Sequence, residues 1–194
     1  DKNKTILMLI LGGIICSSFF SAGVSALKIL ADPYNTLPNI VFWLMGSLAY
    51  IQELPLLFVA GVFAVIFVLS VLLSRHIDIL NLDEESTKSL GISVKKMRIL
   101  FIIFATLLAS SSVALAGMIG WIGLVMPHIS RFLLGANHRF MLVGSVLLGG
   151  LFLLFCDTIA RNAAMSEIPI GIITSVFGVI IFSVVLLVSR KKYD

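Results

Sequence analysis

The sequence has 194 residues, a length that alone would suit one or two soluble domains. Hydrophobic residues make up 59% of it and charged residues only 12%, whereas a soluble domain carries roughly 25% charged residues. With a net charge of +4, this composition excludes a cytosolic enzyme, a nucleic-acid-binding domain and a disordered linker. It predicts an integral membrane protein.

Four stretches almost free of charge are long enough to cross a bilayer as helices. Residues 5–27, 54–74 and 168–189 contain no charged residue, and residues 140–160 are interrupted only by Asp157. At 1.5 Å per residue, about 20 helical residues cross a hydrocarbon core roughly 30 Å thick. Because polar and apolar residues do not alternate as in a strand, these stretches predict membrane-spanning α-helices.

The charge-free stretch 99–130 is too long for one crossing, since a straight helix of that length would measure about 48 Å. We predict one crossing over residues 98–117 and a second, short and partly re-entrant one over residues 121–134. Such a broken segment is tolerated at membrane depth only where protein or a cavity surrounds it. The predicted break contains Gly117, Gly120, Gly123 and Pro127.

The distribution of basic residues supports six crossings. With the break, eleven Lys and Arg residues fall on the cytoplasmic side and only Lys28 and Arg161 outside; without it, the split is eight to five. Arg131 lies within the short crossing and is not counted. Because cytoplasmic loops carry the excess of basic residues, both chain ends are predicted to be cytoplasmic. The eleven are Lys2, Lys4, Arg75, Lys88, Lys95, Lys96, Arg98, Arg139, Arg190, Lys191 and Lys192.

Two connecting segments each contain a predicted short helix. The external loop 31–53 includes the apolar residues 40–48, which are too few to span and are predicted to form an interfacial helix. The cytoplasmic segment 75–98 includes residues 86–90, which follow acidic residues and precede a glycine, as is typical of helix termini. This segment is either a solvated connector or a docking helix for a cytoplasmic partner.

Two further features allow a structural or a functional interpretation. Asp157 and Arg161 lie four residues apart and share a helix face, so they form either a simple ion pair or a contact for an acidic partner outside. The first span is rich in small residues, which either let helices pack closely or line a pathway for a bulky solute.

Several other membrane functions lack a sequence signal. The predicted spans 5–27, 54–74 and 168–189 contain no acidic residue, which argues against a proton- or sodium-coupled transporter. His128 and His138 have no carboxylate or thiol cluster near them in the sequence, so no metal site is predicted. Cys16 and Cys156 lie in apolar runs and are predicted to act as small hydrophobic residues. Without a P-loop motif, any ATP must be bound by another subunit, and no cofactor is predicted.

Several motifs resemble one family, the permease subunits of ATP-binding-cassette (ABC) importers for iron-siderophores, haem and cobalamin. Residues 113–139, VALAGMIGWIGLVMPHISRFLLGANHR, resemble its Gly-Leu-Val/Ile-x-Pro-His core with a closing His-Arg. CDTIAR at 156–161 is similar to its Asp-x-x-Ala-Arg, and EIPIGIITSVFGVIIF at 167–182 to its Glu-x-Pro-x-Gly-x-x-Thr. FWLMGS at 42–47 and LDEESTKSLG at 82–91 also match.

The resemblance implies a fold as well as a family. Permeases of this family typically have ten crossings, and this chain resembles roughly crossings five to ten, so the N-terminal crossings are expected to be absent from it. The predicted fold is an all-α integral membrane protein with a single transmembrane domain over residues 1–194. It has about six transmembrane helices (one short and broken), a short cytoplasmic coupling helix and a short external interfacial helix.

The resemblance assigns a docking role to the cytoplasmic loop. Residues 82–91 would be the coupling helix that docks in a cleft on the ATPase subunit. Asp83 replaces a usual Gly there and Thr87 a usual Ala, which affects the details of the docking surface. The predicted ATPase-docking residues are Asp83, Glu84, Glu85, Leu90 and Gly91.

On the external side, the resemblance implies that Arg161 pairs with a glutamate of a substrate-binding protein, since Arg–carboxylate pairs can be bidentate and selective. Two other positions depart from the family pattern. Asn137 stands where Asp is frequent, and Val179 stands where Pro is usual, a change expected to straighten the last helix. The first span would line the central pathway at a dimer interface, with Gly12, Cys16, Ser17 and Ser21 as the predicted pathway residues.

The predicted function is that of a permease subunit in an ATP-driven importer of iron-siderophore-type chelates, or of haem or cobalamin, and not that of an enzyme. The predicted partners are a cytoplasmic ABC ATPase, an extracytoplasmic substrate-binding protein, a second identical or related permease subunit and membrane lipid. The predicted location is the cell membrane of a prokaryote. The alternatives are a secondary transporter and a non-transport membrane protein such as a metal-dependent membrane enzyme.

Overall fold

The structure is a computed structural model that describes residues 2–49, 51–80, 93–163 and 168–190. Within these ranges every regular element is an α-helix, which confirms the predicted all-α class. The helices are α1 (Lys2–Leu30), α2 (Thr36–Leu44), α3 (Glu53–Leu72), α4 (Ser74–Leu80), α5 (Val94–Ala116), α6 (Ile122–Leu134), α7 (His138–Asn162) and α8 (Ile170–Arg190).

Five of these helices, α1, α3, α5, α7 and α8, have the length and apolarity needed to cross a membrane. Most of their apolar side chains remain exposed, as is expected where lipid or another membrane helix covers the surface. The segment predicted to make the sixth, short crossing forms the shorter apolar helix α6. The chain is therefore a multi-pass membrane protein.

The chain packs as two units, Asp1–Phe42 and Trp43–Asp194. In the first unit, α1 has no buried residue among positions 7–30. After α1, the amide of Asn35 donates to the Asp32 carboxylate over 2.8 Å, and the amide of Leu37 donates to the Asp32 carbonyl over 2.9 Å. These two bonds turn the chain into α2.

In the second unit, α7 is the central helix and packs against α6, α8, α3 and α4. Small residues let α6 and α7 approach closely: a side chain at Gly144 would overlap Leu134, and the buried Ser130 hydroxyl donates to the Met141 carbonyl over 2.8 Å. The core comprises Val125, Met126, Phe152, Cys156, Ala160, Ile170 and Ile173.

Some helix boundaries differ from those predicted. The interfacial helix α2 exists, but it begins at Thr36 rather than at residue 40, because Pro38 is tolerated in the first turn of a helix. It ends at Leu44, since Gly46 adopts a left-handed conformation (φ 76°) and its amide donates to the Trp43 carbonyl. The helix α4 was not predicted at all.

Candidate functional site

Two loops and the start of a helix meet at one end of the second unit. The amide of Ser47 donates over 3.0 Å to the carbonyl of Ala116, the last residue of α5. The amide of Ile170, the first residue of α8, donates over 3.0 Å to the carbonyl of Gly46. Because helix ends otherwise leave such groups unpaired, these bonds fix the end of α5 and the start of α8 to the same loop.

Three glycines make this meeting possible, and we call Gly46, Gly117 and Gly171 the glycine junction. Gly117 has φ 71° and ψ −163°, a region that only glycine populates readily. A side chain at Gly117 would overlap the carbonyl oxygen of Trp43, and one at Gly171 would overlap that of Met45. Each glycine lies in a different motif of the family resemblance, so the junction brings three of those motifs together.

Beside the glycine junction, the C-terminal end of α7 borders a shallow depression. Its accessible volume is about 10 Å³, which is room for one water molecule and far too little for a chelate. Such a surface suits contacts with side chains of another protein better than capture of a solute. The depression is lined by Ser47, Leu48, Ala49, Asp157, Ala160, Arg161, Ile168 and Ile170.

Arg161 is the cationic group of this depression. Its Nε donates to Oδ2 of Asp157 over 2.8 Å, which confirms that the two residues share a helix face. The Arg161 side chain remains 48% exposed, while that of Asp157 is 22% exposed. The Asp157 carboxylate therefore orients the guanidinium, and about half of the Arg161 side chain is exposed.

The chain between α5 and α6 runs beside α8 without helical structure. A side chain at Gly120 would lie 4.0 Å from Oγ of Ser175, and Trp121 packs on Gly178. Gly178 is eight residues, or about 12 Å, along α8 from its first residue. Residues 117–121 thus reach about that distance along α8 before α6 begins, which confirms a break at Gly117 and Gly120. Gly123 and Pro127, which were also predicted to mark the break, lie within α6.

An open cavity of about 430 Å³ lies beside this non-helical segment. Among the described residues, the amides of Met118, Ile119 and Gly120 have no backbone hydrogen-bond acceptor. Irregular backbone at membrane depth is tolerated where it is buried in protein or lines a water-filled cavity. It is lined by Leu44, Met45, Met118, Gly120, Gly171, Ile172, Ser175 and Val176.

At the opposite end of α7, His138 pairs with Asp78 of α4. The ring Nδ1 of His138 lies 2.5 Å from Oδ1 of Asp78, and the His138 amide lies 3.4 Å from the same oxygen. The sequence analysis looked only for carboxylate or thiol clusters near His138 in the sequence, so it did not predict this contact with a single distant carboxylate. The two residues are 60 positions apart, and only their placement in predicted cytoplasmic segments hinted that they share a side.

His128, the other histidine of the motif at residues 113–139, bonds within its own helix. Its Nδ1 lies 2.7 Å from the carbonyl oxygen of Leu124, and its ring meets the ring of Phe182 edge-on. In the described part of the chain, no three His, Cys, Asp or Glu side chains group together in a way that could hold a metal ion. His128 therefore contributes to packing between α6 and α8.

The four predicted pathway residues lie on α1 and do not share one face. Gly12 is half-buried, whereas Cys16, Ser17 and Ser21 are exposed. At 100° per residue, Gly12 and Cys16 lie close together, and Ser21 is about 180° from Gly12 around the helix. The role of these residues in a pathway stays a prediction.

The predicted ATPase-docking residues Asp83, Glu84, Glu85, Leu90 and Gly91 lie outside the described residues, as does the predicted helix 86–90. The two helices that flank them are described: α4 ends at Leu80, and α5 begins at Val94. Both ends of that loop are thus connected to the second unit.

Residues 1–188 match the profile of the FecCD transport family. The chain is 42% identical over 185 residues to the molybdate import system permease protein MolB of Haemophilus influenzae, covering 95% of this chain and 55% of that protein. It is 35% identical over 175 residues to a probable iron chelatin transport system permease protein of Helicobacter pylori, covering 90% and 53%. It is 34% identical over 185 residues to the hemin transport system permease protein HmuU of Yersinia pestis, covering 95% and 53%.

A solved structure has the same fold. It is described as an inward-facing conformation of a metal-chelate type ABC transporter, and it superposes with a TM-score of 0.90 at 42% sequence identity. The match covers 93% of this chain and 59% of that one. The chain thus spans about half the length of the curated relatives that it matches.

Proposed function

Because the chain belongs to the FecCD transport family, we propose that it forms part of the permease subunit of an ATP-driven importer for an iron-siderophore-type chelate. The permease performs no bond chemistry. A separate cytoplasmic ABC ATPase hydrolyses ATP, and the resulting helix movements switch access across the inner membrane of a prokaryote. An extracytoplasmic binding protein delivers the solute, and a second permease subunit completes the pathway.

The observation that carries this proposal is the separation of two polar ends by α7. His138 and Arg161 are 23 positions apart, which corresponds to about 35 Å along the helix. This exceeds the hydrocarbon thickness of about 30 Å, so the two ends reach opposite membrane surfaces. The separation supports docking of the binding protein at Arg161 and docking of the ATPase beyond Leu80, at the end that carries His138.

The composition of α1 supports a role at a subunit interface. An apolar helix with many small residues is suited to close packing against other membrane helices. Because Gly12 and Cys16 lie on one side and Ser17 and Ser21 on another, we propose that one of these pairs lines the pathway while the other packs on a neighbouring helix. In a version that lacks Cys156 and has cysteine at only one of the four positions at a time, protection of that cysteine from a thiol reagent by solute would identify the pair.

Molybdate is a second candidate solute. The relative named as a molybdate permease is 42% identical to this chain, whereas the relatives named for iron chelatin and hemin are 35% and 34% identical. A small oxyanion and a bulky chelate differ in size and charge. The binding protein supplies much of the selection between them.

Uptake by a complete permease carrying this sequence tests the proposal. The protein is purified to ask whether a P-loop ATPase co-purifies, and it is reconstituted to measure uptake of radiolabelled iron-siderophores, haem, cobalamin and molybdate. ATP-dependent accumulation of a chelate supports the proposed function, and ATP-dependent accumulation of molybdate alone supports the second candidate. Uptake driven by a proton or sodium gradient without any ATPase would contradict both.

A further inference from the structure

Asp78 connects two segments at the same end of the second unit. It lies in α4, two residues before that helix ends at Leu80, and its carboxylate approaches both the ring Nδ1 and the amide of His138. His138 is the first residue of α7, and a carboxylate at a helix N-terminus is favoured by the unpaired amides and the helix dipole. Asp78 therefore ties α4 to the start of α7.

This tie is additional to the normal cap of α7. The side chain of Asn137 already accepts a hydrogen bond from the Arg139 amide over 2.9 Å, as an N-cap residue does. The helix can therefore begin without Asp78. The contact from α4 thus does more than start α7, because it joins two helices that are separate in sequence.

The environment of the pair favours a specific contact over a loose surface one. The side chain of His138 is only 19% exposed and that of Asp78 is 39% exposed. Fully exposed ion pairs contribute little to stability. Partly buried pairs are screened less by salt and water. A change in the position of α4 therefore displaces His138 through this contact.

A displacement at the start of α7 is transmitted along this helix to its other end. It runs unbroken for 25 residues, about 37 Å, and it packs along its length against neighbouring helices. Its far end bears Arg161, beside the glycine junction. Packed helices shift as rigid elements rather than deform continuously. The residues that α7 buries are Gly144, Gly149, Phe152, Cys156 and Ala160.

We propose that Asp78 and His138 form a positioning pair that couples the ATPase-docking side of the permease to α7, and through α7 to the surface around Arg161. The pair touches neither ATP nor solute, and it sets how much of the movement of α4 reaches α7. This inference rests on the proposed function, since it requires an ATPase at one end of α7 and a binding protein at the other.

The test measures coupling separately from ATP hydrolysis. A complete permease carrying this sequence is reconstituted with its ATPase, and the rate of ATP hydrolysis is measured with and without the binding protein. In Asp78→Ala and in His138→Ala, stimulation by the binding protein should fall several-fold, up to on the order of tenfold, while basal hydrolysis is unchanged. Because the two residues act together, the double variant should lose no more than either single one.

Two further variants separate coupling from general damage. In His138→Asn the side-chain amide nitrogen can take the place of Nδ1. The ratio of ATP hydrolysis with the binding protein to hydrolysis without it should therefore return toward its wild-type value. In the described part of the chain, His128 bonds to the backbone of its own helix and packs on Phe182, so His128→Ala should leave the stimulation by the binding protein at the wild-type value. ATPase binding by each variant, measured by co-purification, shows that the complex has assembled.

Three results would each overturn the coupling role. They are unchanged stimulation in both alanine variants, additive losses of stimulation in the double variant, and no recovery of stimulation in His138→Asn. If an alanine variant fails to assemble, the comparison of His138→Asn and Asp78→Glu with the wild type decides in its place, since both retain a hydrogen-bonding group. A wild-type permease that binds no ATPase would overturn the proposed function itself, and that result appears before any variant is made.

Discussion

The indole of Trp121 packs directly against Gly178, and Trp121 holds a left-handed backbone conformation, with φ 69°, in this position. The conformation is rare for a bulky residue and costs on the order of 1–3 kcal/mol. The ring of Phe182, one turn further along α8, also meets the Trp121 ring, with centroids 6.3 Å apart. The start of α6 is thus held against α8 by packing that offsets its strained backbone.

We predict that Gly178→Ala destabilises the protein. A methyl group there would lie 2.5 Å from Cβ and 2.9 Å from Cγ of Trp121, so overpacking should lower the free energy of unfolding by about 1–3 kcal/mol. The control is Gly150→Ala in α7, where nothing lies within 4 Å and alanine favours the helix. Thermal unfolding in detergent measures both variants, and equal stability of the two would contradict the packing described for Trp121.

Gly117→Ala should reduce the yield of folded protein more than the same change at Gly123. Its φ and ψ belong to glycine alone, and the new methyl group would collide with the carbonyl of Trp43, a backbone atom that cannot rotate away. We expect a loss of monodisperse protein in size-exclusion chromatography. Gly123→Ala, at a position with open space around it, should behave like the wild type. Similar yields of the two variants would show that the glycine junction is not needed for folding.

Long apolar runs made the main helices predictable. The runs 54–74 and 168–189 correspond closely to α3 and α8, because in lipid a helix must satisfy its own backbone and therefore extends through the whole apolar run. The break before α6 was predictable from length, since a single helix over the 32 uncharged residues 99–130 would exceed the membrane thickness. At Val179 α8 continues unbroken, as expected for a residue that replaces the family's usual Pro.

Other features depend on contacts that no local pattern records. The helix α4 has polar and apolar residues mixed over only seven positions, too few to give a reliable period. The Asp78–His138 pair joins residues 60 positions apart, and the glycine junction joins three distant segments. Asn137 in place of the family's Asp proved conservative, because either side chain caps a helix.

At the predicted external end, Arg161→Glu should weaken binding of the proposed substrate-binding protein by about tenfold or more at low ionic strength, and by less at high salt. The change replaces an attractive contact with an acidic partner by a repulsive one. Arg139→Glu is a matched control, because it reverses an exposed charge at the opposite end of α7 and should leave that affinity unchanged. Titration of the binding protein onto reconstituted permease measures both. Identical affinities of Arg161→Glu and the wild type at low salt would refute the docking role of Arg161.

In the loop after α4, Glu84→Lys should weaken ATPase docking while membrane insertion is unchanged. Reversing the charge of a docking residue removes an attraction and adds a repulsion. Glu53→Lys makes the same change at the start of α3, on the predicted external side, and serves as the control. Co-purification of the ATPase with each variant is the measurement, and full ATPase recovery with Glu84→Lys would count against the coupling-helix assignment.

The central claim is that the chain crosses the membrane with its docking faces on opposite sides, and the topology of two lysines tests it most directly. Single-cysteine variants Lys28→Cys and Lys88→Cys are made in a cysteine-free version of the complete permease and exposed in intact cells to a maleimide that cannot cross membranes. We predict that Lys28→Cys is labelled from outside and that Lys88→Cys is labelled only after the membrane is permeabilised. Labelling of both positions from the same side would contradict the account.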